Sequence, residues 1–113
     1  MNMEHILNLH PEPFDLIKNN KKHIEMRLND EKRSKIKVGD TIKFISRLDN
    51  STLIVEVTKI GKYPSFFDLY KSVDQRLLGY DSSTGNNPND MNQYYSDESI
   101  SKFGVLAIYI KLI

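Results

Sequence analysis

The last eleven residues, FGVLAIYIKLI at positions 103–113, are apolar at nearly every position. A strand with one wet face alternates apolar and polar side chains, so an unbroken apolar run of this length reads as a strand covered on both sides. Such a strand needs packing material on each face of its sheet. In a chain of 113 residues that material must come from one shared core, because the chain is long enough for one domain and too short for two. The expectation is a single domain spanning residues 1–113.

The rest of the chain supplies that material in short pieces. HILNL at 5–9 reads as a first strand, and PEPFDLIKNN at 11–20 has the grammar of a short helix. Its prolines stand at the entrance, where a missing N–H costs little, Glu12 and Asp15 come early, and Lys18 comes late, as the helix dipole favours. Phe14 and Ile17 share the buried face, and Asn19 and Asn20 close the helix because asparagine tolerates the left-handed conformation. KKHIEMRL follows as a strand. Asp30 then caps a helical turn over residues 31–34, and Val38-Gly39-Asp40 turns the chain into TIKFIS. Asp49-Asn50-Ser51 reads as a hairpin turn into TLIVEVTKI, whose β-branched density makes it the clearest strand, and the two strands are expected to pair antiparallel.

Past Pro64 the texture changes. SFFDLYKSV places Phe66, Leu69, Tyr70 and Val73 at helical spacing, and Phe66, Phe67 and Phe103 are all expected in the core. GYDSSTGNNPND at 79–90 reads as a long loop or flap. Residues 91–102 read as one or two helical turns, with Ser96 as a cap. Five or six strands with short helices in the connections make an α+β fold, a small mixed β-barrel.

Several function classes drop out on composition. No apolar run approaches the roughly 18 to 20 residues of a membrane span, and MNMEHILNLH lacks the basic-then-apolar build of a secretory leader. With no cysteine in the chain, disulfides and thiolate zinc sites are excluded, and the expected location is the cytoplasm. His5, His10 and His23 lack metal-ligand spacing, and the phosphate-loop, dinucleotide and nucleophile-elbow motifs are absent, so no metal or cofactor is expected. The net charge of +1 conceals an asymmetry. Residues 18–37 carry eight basic groups against three acidic, whereas residues 64–102 carry three basic against six acidic. Segregation of this kind can draw an anionic partner to one side of the molecule, and phosphate is the commonest candidate.

The stretch KKHIEMR at 21–27 sets Lys22, Ile24 and Met26 against His23, Glu25 and Arg27, gathering ionisable groups close together. With Asn20 included it resembles the ASCH-domain signature G-x-K-x-x-E-x-R, following a short helix and preceding a turn that ends in Gly-Asp. Asn20 stands where the signature has glycine, an exchange that keeps access to positive φ. RLNDEKRSKIKVGD and YYSDESISKFGVLAIYI resemble the matching parts of small single-domain bacterial and archaeal ASCH proteins, so the likeness covers nearly the whole chain and is weakest over 71–89. The resemblance implies a PUA-like barrel with a cleft beside the first helix, and an RNA-related role. One branch of the family hydrolyses 4-acetylcytidine with a lysine, a threonine and a glutamate. Lys22 takes the position of that lysine, but Glu25 occupies the place of the threonine, so the mechanism does not transfer. Asp68, Asp74 and Glu98 are the alternatives for the distal glutamate.

Lys22, Glu25 and Arg27 thus form the candidate cleft. Lys22 and Arg27 can hold a phosphate or a base carbonyl, and Glu25 can accept from an exocyclic amine or orient Arg27. The plainer alternative is an internal ion-pair network that ties the strand to its neighbours. Lys32 and Arg33 lead a patch that can track phosphates, and Tyr94 or Tyr95 can stack a base at the cleft mouth while the other packs inward. Three functions remain open: a module that binds RNA or a modified nucleoside, a hydrolase with Glu25 as base and Lys22 as electrostatic stabiliser, and a protein that binds a partner in RNA metabolism or transcription.

Overall fold

The computed structural model describes residues 2–113. Five strands form one curled sheet, a half-barrel: β1 (Glu4–Leu9), β2 (Ile24–Leu28), β3 (Thr41–Ser46), β4 (Thr52–Tyr63) and β5 (Val105–Leu112). Their spatial order is β1-β3-β4-β5-β2, with β1 parallel to β3 and every other pair antiparallel. The expected α+β mixed barrel is the fold observed, with β1 and β2 as its two edges. Three short helices lie in the connections, α1 (Pro11–Lys18), α2 (Phe66–Ser72) and α3 (Asp97–Phe103). Among the described residues, no helix is long and apolar enough to cross a membrane.

The closing strand does what its apolar run requires. Val105, Leu106, Ala107 and Ile108 are all buried, because β5 lies between β4 and β2 and separates two cores. On one side α1 lays Phe14 and Ile17 against Leu7, Phe44, Val55 and Ile108. On the other side α2 brings Phe66, Leu69 and Tyr70 onto Ile24, Met26 and Val105. Burying each large apolar side chain in these clusters contributes roughly 1.5–3 kcal/mol.

Local grammar sets the corners. Asn20, at φ 61, adopts the left-handed conformation expected where the signature has glycine, and Asn50 does the same at φ 63 in the β3–β4 hairpin. Asp30 Oδ1 accepts from Arg33 N at 3.0 Å to start a 3-10 turn over Arg33–Lys35. Ser65 and Ser96 cap α2 and α3 in the same manner.

Two expectations change. Phe67 is 60% exposed and Phe103 is 38% exposed, so neither belongs to the core. Phe67 follows the buried Phe66 around the helix and faces water with Lys71 Nζ 4.8 Å from its ring, and Lys102 covers Phe103 likewise at 5.1 Å. The polar run at 79–90 is the expected loop as far as residue 87. Buried Gln75 receives Asn86 Nδ2 at 2.7 Å, and Asn87 caps a 3-10 helix over Pro88–Gln93. Lys22 lies before β2, which begins at Ile24, so its side chain is aimed by the α1–β2 turn instead of by strand alternation.

Candidate functional site

The two edge strands do not hydrogen-bond to each other as strands. Arg27 reaches across the seam instead: its Nη2 donates to the Asn8 carbonyl of β1 at 2.7 Å. Its Nε donates to Glu25 Oε2 at 2.9 Å, so the two residues that share a face of β2 support each other. Lys22 Nζ approaches Glu25 Oε1 at 3.6 Å and donates to the Leu78 carbonyl at 3.1 Å. All three side chains are nearly buried, at 6% (Lys22), 5% (Glu25) and 8% (Arg27) exposure. One carboxylate therefore sits between two cations on the floor of the seam.

Burial dominates the Lys22 ammonium and lowers its pKa below the ordinary value, with Glu25 offsetting part of that and Arg27 adding to it. Burial also works against the Arg27 charge. Burial is the largest single influence there, but Glu25, Tyr95 and Asp30 together outweigh it, and the guanidinium sits above its usual value. Gly79 shapes the Lys22 side of the floor. Its φ of +103 is strained for a side chain, and a Cβ there would meet Leu16 Cδ1 at 3.0 Å and Lys22 Cβ at 3.6 Å.

Above the floor opens a cleft of about 630 Å³ that all three charged groups line, a size typical of small-molecule sites. Tyr94 and Tyr95 stand over it and divide their roles. Tyr95 is partly buried, its ring 6.0 Å from that of Phe66 and nearly parallel, while Tyr94 is 45% exposed and lies 5.4 Å from the His10 ring. Burial raises the pKa of both phenols, so both stay protonated donors at neutral pH. Tyr80 lines the same cleft and hydrogen-bonds Tyr70 at 2.8 Å.

Of the residues singled out in the sequence, Lys22, Glu25, Arg27, Arg33 and Tyr95 line this cleft, and Tyr94 joins them. Arg33 is held by Asp30 through an Nη1–Oδ2 contact of 2.8 Å. Lys32 is not brought there. It lines a separate depression with Met3, His5, Glu31 and Lys35. The sequence reading missed Arg47, His10, Glu12 and Asp90, which also line the cleft. Arg47 arrives because β3 runs parallel to β1, so that its N–H meets the Leu9 carbonyl at 2.8 Å. No local pattern encodes that pairing. For His10 a signal existed, since it directly precedes the helix that the family places beside the cleft.

A curled mixed sheet with a charged cleft between its edge strands is the architecture of PUA-like barrels. Within that class, the ASCH domain model matches residues 7–113, and the chain belongs to the ASCH domain family. The hypothetical protein PH0355 has a crystal structure 34% identical to the chain, covering 100% of both with a TM-score of 0.80. Protein PF0455 from Pyrococcus furiosus is 34% identical, covering 98% of both with a TM-score of 0.75. The ASCH protein from Zymomonas mobilis shares the fold at 15% identity and a TM-score of 0.67, covering 96% of this chain and 66% of its own. No curated protein is significantly similar to the chain.

Proposed function

We propose that the protein binds RNA or a modified nucleoside in the cleft between β1 and β2, with a base edge on the floor formed by Lys22, Glu25 and Arg27. Family membership supports a general RNA-binding or hydrolase-like role. One observation carries the finer reading: the three charged groups converge on a single open concavity instead of pointing into bulk water. Each carries polar capacity beyond its internal bonds. Lys22 has three donors and Arg27 five, so both can donate to a base carbonyl while holding Glu25. A carboxylate on the floor disfavours phosphate there and favours a neutral base edge, since like charges at close range repel strongly in a buried site. Phosphate then falls to the more exposed Arg33, and the tyrosines flank the base plane.

The test is binding of single-stranded oligoribonucleotides and free nucleosides, measured against salt. Affinity is expected to fall as salt rises, with a slope set by the few phosphates engaged. Arg33→Gln should lower both affinity and slope. Salt-independent binding that Arg33→Gln leaves unchanged, or no binding at all, would overturn the reading.

A second reading rests on the lowered pKa of Lys22 within reach of Glu25. A lysine of this kind can stabilise a developing oxyanion while a carboxylate moves a proton, the arrangement of a hydrolase acting on RNA or on acylated pyrimidine nucleosides. Chromatography after incubation with acetylcytidine and with RNA distinguishes the two. Turnover that Lys22→Ala abolishes would establish the enzyme, and absence of turnover in the wild type leaves the binding module.

A further inference from the structure

The charged groups on the cleft floor stand in a fixed order. Lys22 Nζ lies 3.6 Å from Glu25 Oε1, and Arg27 Nε and Nη2 each lie 2.9 Å from Glu25 Oε2. A cation thus stands at each oxygen of one carboxylate, and the row runs donor, acceptor, donor. Every member of the row has capacity left. Lys22 commits one N–H to the Leu78 carbonyl, and Arg27 commits Nε to Glu25 and Nη2 to the Asn8 carbonyl. Among the described residues Arg27 Nη1 makes no hydrogen bond, and it is not one of the side-chain atoms sealed from solvent without a partner. Its two N–H groups are therefore open to the cleft that Arg27 lines. Glu25 accepts one hydrogen bond at each oxygen, from Met26 N and from Arg27 Nε, which leaves each oxygen a further lone pair. The ammonium and the neutral amine of Lys22 both donate, so the lowering of its pKa by burial leaves the pattern intact.

We infer that the floor reads the imide edge of a uracil-type base, with Glu25 accepting from the ring N–H and with Lys22 and Arg27 donating to the carbonyls on either side. The inference rests on the nucleoside-binding reading of the site and names the base. Uracil presents acceptor, donor, acceptor along its Watson–Crick edge, the complement of the floor. Cytosine presents an amine, a bare ring nitrogen and a carbonyl, so the carboxylate would face a lone pair and one cation would face a donor. Adenine sets a bare ring nitrogen and an amine against the same two groups. Guanine matches at its carbonyl and ring N–H but turns its amine toward the second cation, and its Hoogsteen edge has two acceptors with no N–H for Glu25. Each mismatch leaves a nearly buried charged group unpaired, which costs more than the loss of a simple contact.

Titration calorimetry on the full chain tests it with uridine, 3-methyluridine, cytidine, guanosine and adenosine. Uridine is expected to bind most tightly. 3-Methyluridine keeps the ring and both carbonyls and replaces only the imide hydrogen by a methyl, and it should bind at least about tenfold more weakly, as should cytidine. Any of the other four that binds as tightly as uridine overturns the imide assignment while nucleoside binding stands. If neither nucleosides nor oligoribonucleotides bind, the reading of the site itself fails. In Glu25→Gln the amide can turn its oxygen or its NH2 to the base, so the preference for uridine over cytidine should fall about tenfold, and an unchanged preference in the folded variant overturns the inference. The wild-type series decides the assignment without that variant. Oligouridylate and oligocytidylate of equal length separate the two sources of the base. Oligouridylate that binds tighter than uridine, with affinity falling as salt rises, assigns the base to an RNA strand, and uridine that binds as tightly assigns the free nucleoside. Equal affinity of the two oligonucleotides overturns the inference in either case.

Discussion

The molecule buries charge in two places, and the two are built to different ends. Under β1, Asp40 accepts from Met3 N at 3.0 Å, Lys37 N at 2.9 Å and His5 Nε2 at 2.8 Å. Two of its three donors are backbone N–H groups and the third is the His5 ring, and its product is a fixed corner between the turn at Gly39 and the start of β3. In the seam, Glu25 accepts from Met26 N and Arg27 Nε and has Lys22 Nζ 3.6 Å away, and the two cations keep further donors and line an open cleft. Buried charge is thus no functional signal by itself. What separates the two sites is whether the partners are mostly backbone groups, which have nothing left to offer, or cations with unused donors facing a concavity.

The sharpest way to break this comparison is to remove each carboxylate. Glu25→Ala leaves Lys22 and Arg27 confined together without their counter-charge, and a loss of about 3–5 kcal/mol in unfolding free energy is expected from urea denaturation. A loss below about 1 kcal/mol would mean that water already compensates the cations. Asp40 comes next, through pH. Burial works to raise its pKa, but the hydrogen bonds from Met3, His5 and Lys37 outweigh it and hold the group at about 2, against 3.8 when unfolded. A group depressed in the fold stabilises above its unfolded value and loses that contribution as pH falls through the folded one. Stability should therefore drop by about 1–2 kcal/mol between about pH 4 and pH 2, a slope that Asp40→Ala removes. Ligand affinity at neutral pH should not change in that variant.

Lys22→Met sharpens the contrast from the other side. It removes an ammonium that burial disfavours while Glu25 keeps Arg27, so stability should stay within about 1 kcal/mol of the wild type or rise. Nucleoside affinity should nevertheless fall about tenfold, and a variant that loses neither property would reduce the seam to a structural tie. The smallest effect is expected at Lys32, which lies outside the cleft. Lys32→Gln should leave both stability and nucleoside affinity unchanged within about 0.5 kcal/mol, by denaturation and calorimetry.

Much of this architecture could be read before any coordinates. The apolar closing run announced β5, the Pro-to-Asn grammar announced α1, and Asn20, Asn50, Asp30 and Ser96 do the backbone work their types favour. The signature spacing correctly grouped Lys22, Glu25 and Arg27, because residues two apart on a strand share a face and a tight turn returns Lys22 to the same place. Helical spacing left Phe67 off the face of Phe66, Leu69 and Tyr70; the core expectation for Phe67 and Phe103 failed because apolar character alone does not decide burial and a neighbouring lysine can cover the ring.

The sequence by itself determined which segments are strands, where the chain turns, and that a lysine, a glutamate and an arginine meet at one strand entrance. Those are local matters, governed by side-chain periodicity and by the few residue types that accept positive φ. Only the tertiary structure decided that Arg27 closes the seam onto Asn8, that Arg47 reaches the cleft, that Lys32 does not, and that Glu12 and Asp90 line it together with Arg33. Each of those depends on the parallel pairing of β1 with β3 and on which strands are left as edges, choices made by long-range packing of two cores around β5 and invisible in any short window of sequence.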